Sequence, residues 1–220
     1  MDVNSLVQTV AIYALPVLFA ITLHEAAHGY VARHFGDMTA HAQGRISLNP
    51  IRHIDLVGTI IVPIVILLTT QKLIGGGLLF GWAKPVPVNY SALRRPRQHM
   101  ALVAAAGPGA NLLMALFWVV VLKIAVLLPG TGYSYFVGLV AQAGISVNLI
   151  FMFLNLLPIL PLDGGRIVAS LLPTRAAWRY SKLEPFGLPL LVILLFTNVL
   201  GFVLGPLVGA SDALIRALVF

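Results

Sequence analysis

Apolar residues in this chain come in long runs. Four stretches, about 5–33, 100–128, 136–160 and 186–205, are long enough to cross a bilayer as helices. A fifth piece at about 56–70 is shorter, and a last one covers 206–220. Breakers separate them: Asn49-Pro50, Gly75-Gly76-Gly77, Pro129-Gly130-Thr131-Gly132, and Pro161 through Gly165. The pattern predicts an all-α polytopic membrane protein of about five to six membrane helices. Neither an internal repeat nor a polar segment for an appended soluble domain is evident. A single membrane domain over 1–220 is expected, with its core at 5–166 and C-terminal helices at 186–220.

Composition agrees, at 59% hydrophobic and 10% charged with a mean hydropathy of +0.96. A net charge of +7 would suggest nucleic acid in a soluble protein. Here the basic residues sit in short loops, where they set topology and meet anionic lipid headgroups, so no nucleic-acid partner is expected. Arg33, Arg45, Arg52, Lys84, Arg94, Arg95 and Arg97 lie between the first helix and the one near 100, and Arg166, Arg175, Arg179 and Lys182 follow the 136–160 helix. The connection 129–135 carries no charge. By the positive-inside rule the basic groups face the cytoplasm, while 129–135 and the N-terminus lie outside.

With 33–53 and 94–99 on one side, the chain between them crosses twice or not at all. One short apolar helix cannot cross twice, so 56–93 is expected to be a re-entrant excursion with an extended return. Irregular backbone at membrane depth has to be buried in protein or line a wet cavity. A polar cavity near the cytoplasmic side is therefore implied.

His24-Glu25-Ala26-Ala27-His28 falls at that side, inside the first apolar run. On a helix, H-E-x-x-H puts two imidazoles on one face, spaced to share one zinc ion, with the carboxylate between them beside a metal-bound water. Ionisable groups at membrane depth are costly and mark function. The motif also argues that the first run is a retained helix, since cleavage as a signal peptide would remove it. Cysteine is absent, so a zinc site has to use His and carboxylate.

A third ligand is needed. His34, His41, His53 and His99 lie near predicted interfaces and read as solvated or headgroup-facing. Asp163 stands apart in Asn155-Leu-Leu-Pro158-Ile-Leu-Pro161-Leu-Asp163-Gly164-Gly165-Arg166, where two prolines break the helix and two glycines allow close backbone approach. Topology puts it on the same side as the two His. An ordinary Asp-Gly turn is the alternative.

Together His24-Glu25-x-x-His28, Ala106-Gly107-Pro108-x-x-Asn111, and Asn155-x-x-Pro158 through Asp163-Gly164 resemble the site-2 protease family of intramembrane zinc metalloproteases. Gly44-Arg45-Ile46-Ser47-Leu48-Asn49-Pro50 and Gly81-Trp82-Ala83-Lys84-Pro85-Val86-Pro87-Val88-Asn89 are similar to its compact branch, which lacks PDZ or nucleotide-binding modules. The resemblance implies one Zn2+ per chain held by His24, His28 and Asp163, with Glu25 as general base and later acid. It also implies that Asn155 steadies the substrate carbonyl or oxyanion. Asn111 and Asn148 are alternatives for that donor, with a structural role favoured.

The expected partners are a transmembrane protein substrate and the lipid bilayer, and the expected location is a prokaryotic plasma membrane. A substrate helix has to unwind before its peptide bonds can be attacked. Pro85 and Pro87 would blank one edge of an extended segment, leaving the edge with Val86 and Val88 to pair with the unwound strand. A Pro-rich turn without a substrate role fits equally well. Two other functions stay open: a metal-ion transporter using the same cluster, or a non-cleaving scaffold. A transporter would need polar residues along a path through both halves of the bilayer, and the outer half is nearly free of them, which counts against it.

Overall fold

The computed structural model describes residues 3–62, 83–128, 130 and 132–219. Eight α-helices cover most of them: α1 Val3–His34, α2 Thr39–Ala42, α3 Pro96–Leu127, α4 Gly132–Asn155, α5 Asp163–Leu171, α6 Thr174–Ser181, α7 Glu184–Phe196 and α8 Val199–Val219. Short helical turns at Pro50–His53, Leu56–Ile61 and Tyr90–Ala92 join them, and no strand occurs among the described residues. Helices α1, α3, α4 and α8 are long and apolar enough to cross a membrane, while α7 is shorter. This is an all-α polytopic membrane protein. Most of the expected re-entrant excursion, including its Gly75–Gly77 turn, lies outside the described residues, as does Trp82.

Helices α1, α3 and α4 form a mutually packed trio, with α5 against α3 and α8 against both α3 and α4. Small residues allow close approach where apolar side chains gain nothing by leaving lipid. Gly144 of α4 lies against the Trp118 indole of α3, in space that a Cβ would need. Around that contact Val119, Leu122, Ile145, Leu149 and Ile215 are buried. The outer faces are apolar and open: Leu113 is 68% and Phe202 81% exposed, as lipid-facing residues should be.

Three expectations change. The 136–160 helix stops at Asn155, because Pro158 and Pro161 cannot continue it and the chain turns before α5. The C-terminal region breaks at Thr197-Asn198, with Asn198 at φ 58°, and not near 205; Pro206 is carried inside α8. A proline at membrane depth is a weaker breaker than in water, since neighbouring helices can satisfy the freed carbonyl. His53 is 1% exposed, and its ring Nε2 pairs with the Ser47 carbonyl at 2.8 Å. Asp55 caps the following turn by accepting the Gly58 N–H at 2.6 Å, as its position before an apolar run suggests.

Trp118 is a packing residue, and Trp178 is exposed with Lys182 over its ring. In the last helix Asp212 and Arg216 form an ion pair one turn apart, at 2.7 Å. That pairing lowers the cost of carrying both charges near the bilayer.

Replacing Gly144 with Val should force α3 and α4 apart, costing about 1–3 kcal/mol as overpacking does. A lower melting temperature in detergent would register it, and an unchanged one would show that this contact is not tight.

Candidate metal centre

Helices α1 and α3 meet along two matched stripes. His24 and His28 lie one turn apart on α1; Val103, Gly107 and Asn111 lie one turn apart on α3. His28 Nδ1 reaches the Val103 carbonyl at 2.7 Å, and His24 Nδ1 reaches Asn111 Oδ1 at 2.7 Å. Gly107 sits between these rungs, where a Cβ would stand 2.5 Å from both His24 Cε1 and His28 Nε2. Only glycine lets α3 close on both rings.

Asp163 arrives from the other end of the core as the first residue of α5. Gly164 packs against the Leu156 and Leu157 carbonyls, and a Cβ on Gly165 would come within 2.6 Å of Leu160 N. This tight turn brings Asp163 Oδ2 to 3.1 Å from His24 Nε2 and 3.4 Å from His28 Nε2. The two Nε2 atoms are themselves 3.1 Å apart. All three residues are buried, at 7–8% exposure.

The hydrogen bonds behind the rings decide what this cluster can hold. A carbonyl oxygen only accepts, so His28 Nδ1 carries the proton toward Val103. Asn111 donates its Nδ2 to the Ala20 carbonyl at 3.2 Å and to Asn148 Oδ1 at 3.1 Å, so its Oδ1 faces His24 as an acceptor. In the neutral rings both Nε2 lone pairs then point at a common centre, beside a carboxylate oxygen with no hydrogen-bond partner. Three acceptors converging in a buried space repel one another unless a cation sits among them. His24, His28 and Asp163 each offer one ligand atom, all within 4.8 Å of one another. Two imidazoles and a carboxylate suit a catalytic zinc, which keeps a further position open.

Glu25 is half-buried on the same turn of α1 as the two imidazoles. Its Oε2 accepts the Val86 N–H at 2.7 Å, so the irregular segment 83–89 lies against the centre. Pro85, Pro87 and Val88 flank that amide. Asn155, the last residue of α4, donates Nδ2 to Phe151 of its own helix at 3.0 Å and makes no described bond to the cluster. Asn111 and Asn148 are fully buried behind His24, with Asn148 Nδ2 donating to the Gly144 carbonyl at 2.8 Å.

Two contributors escape a reading of the sequence: the Val103 carbonyl, which has no residue signature, and Gly107 as the closing point of the two rings. The four-residue spacing from Gly107 to Asn111, matching that of His24 and His28, is the signal that could have singled out Gly107.

Comparison with known proteins now bears on this geometry. A model of Peptidase family M50 matches residues 129–197, which include Asn155 and Asp163. A Bacillus subtilis protein named "Putative zinc metalloprotease YwhC" is 36% identical over 210 residues, covering 92% of this chain and 88% of that protein. A Mycolicibacterium smegmatis protein named "Putative zinc metalloprotease Rip2" is 27% identical over 184 residues, covering 83% of this chain and 66% of that protein. No solved structure matches.

Asn111→Leu should keep the helices packed but leave His24 free to turn, weakening metal retention by about 10–100-fold. Chelator competition would measure this, and equal retention would show that Asn111 does not orient the ligand.

Proposed function

We propose that this chain, which belongs to Peptidase family M50, the site-2 protease family, hydrolyses a peptide bond within or near a transmembrane segment of a membrane-protein substrate. Membership makes it a metalloprotease with zinc as its metal. The observation that carries the finer reading is the buried convergence of His24, His28 and Asp163 among helices long and apolar enough to span a membrane. A substrate for such a centre has to be presented at membrane depth.

In this reading His24, His28 and Asp163 hold one zinc ion. When bound, it polarises the scissile carbonyl and lowers the pKa of a water to about 7. Glu25 anchors Oε2 on the Val86 N–H and keeps Oε1 for chemistry. It takes the proton from the attacking water and delivers it to the leaving amide nitrogen. Asn155 uses one of its two amide protons on Phe151 and offers the other to the developing oxyanion. Asn111 and Asn148 hold His24 in place and do not touch substrate.

The unwound substrate pairs beside Val86. With the Val86 N–H taken by Glu25, the Val86 carbonyl and the Val88 N–H are the groups left for it on an extended edge. Pro85 and Pro87 offer no competing donors. The basic residues flanking α1 and α3 argue that the centre lies toward the cytoplasmic face of a plasma membrane.

Elemental mass spectrometry of the purified protein should find zinc near one per chain, lost in His24→Ala and Asp163→Ala. Glu25→Gln should retain zinc yet lower cleavage of a quenched fluorogenic transmembrane peptide by about 10²–10⁴-fold, the scale of general acid–base catalysis. Cleavage at the wild-type rate by Glu25→Gln would sink the mechanism.

A further inference from the structure

The segment from Lys84 to Asn89 has no regular secondary structure, yet it is fastened at both ends. At one end the Lys84 N–H donates to the His53 carbonyl at 2.9 Å. The Arg45 guanidinium donates to the carbonyls of Lys84 at 2.8 Å and Pro85 at 3.2 Å, and to that of Arg52 at 2.7 Å. At the other end the Asn89 N–H donates to Asp37 Oδ2 at 2.6 Å, while Asp37 Oδ1 takes the Thr39 N–H at 2.9 Å. Asp37 is 0% exposed. A buried carboxylate is expensive unless its oxygens are bonded, and these two N–H donors also hold it below the usual carboxylate range despite its burial.

Between the fastened ends, the Val86 N–H meets Glu25 Oε2. The register leaves no slack. Pro85 and Pro87 lack an N–H, so a slip of one residue either way would face Glu25 with a proline. Gly29 of α1 supports the approach: a Cβ there would come 3.3 Å from Val86 Cγ1 and 2.9 Å from Ile46 Cγ1.

We propose that Asp37 and Arg45 are positioning residues, strapping 84–89 across α1 so that the Val86 amide fixes the Glu25 carboxylate for proton transfer. Both act through the strap and touch no substrate. The idea rests on Glu25 being the general base.

Hydrogen exchange on the full-length, zinc-loaded protein reads the strap without needing turnover. Its exchangeable amides are those of Lys84, Val86, Val88 and Asn89. Asp37→Asn leaves one acceptor oxygen for two donors. It should speed exchange at Val86 and Asn89 by about tenfold or more, with α1 and α3 protection and zinc content kept. On the fluorogenic transmembrane peptide, kcat should fall by about 10–100-fold, as for a misplaced catalytic group, with KM nearly unchanged. Arg45→Gln should free Lys84 and Val86 from the other end with the same kcat signature, and it decides the matter if Asp37→Asn unfolds. Val86 exchange unchanged in a folded variant, or faster exchange with wild-type kcat, would overturn the proposal. A change confined to KM would count equally against it. Failure of the wild-type protein to cleave the peptide would instead strike at the proteolytic reading, leaving exchange to judge the strap.

Discussion

Two imidazoles and a carboxylate, stripped of water and turned toward one another inside an apolar bundle, set the terms for the rest of this structure. Their mutual repulsion is relieved by a cation, and their orientation is enforced from behind. The Val103 carbonyl and the Asn111 amide fix which ring nitrogen carries the proton. Asn111 is in turn held by Ala20 and Asn148, and Asn148 by Gly144. A polar chain thus runs through α1, α3 and α4 where apolar side chains would otherwise meet. Such a chain is tolerated at membrane depth because each amide in it has its partners.

Close helix approach is the second requirement, and glycine meets it at separate places. Gly107 admits both imidazoles to α3, Gly144 admits the Trp118 indole to α4, and Gly164 with Gly165 lets α5 turn tightly enough to deliver Asp163. Helix packing and the candidate metal site are linked here, since the close approaches at Gly107 and at Gly164–Gly165 also place the His24, His28 and Asp163 side chains. The segment 84–89 shows the same economy beside Glu25: the Val86 amide meets its carboxylate, and Arg45 and Asp37, two charged side chains outside the spans, fasten the segment on either side of that contact.

Much of this was legible in the sequence, because the membrane restricts what polar residues may do. His24, Glu25 and His28 inside an uncharged run, and Asp163 between helix breakers, announce themselves against an apolar background. Helix ends were less legible. The boundary expected between the 186–205 and 206–220 stretches falls inside α8, which runs through Pro206, while the true break is at Asn198 in the left-handed region. His53 looked like an interface residue because neighbours in sequence are charged, but its burial comes from packing that no local pattern encodes. Asp37 was equally silent: its partners are backbone N–H groups two and fifty-two residues away, and backbone leaves no mark on a sequence.

X-ray absorption at the zinc edge of the purified protein asks most directly whether the two ends of the core share one metal. The wild-type spectrum should require two imidazoles and additional oxygen at about 2.0–2.2 Å, and the zinc signal should be lost in Asp163→Ala. A folded protein without zinc, or a zinc spectrum indifferent to Asp163, would contradict a centre built from both ends of the chain.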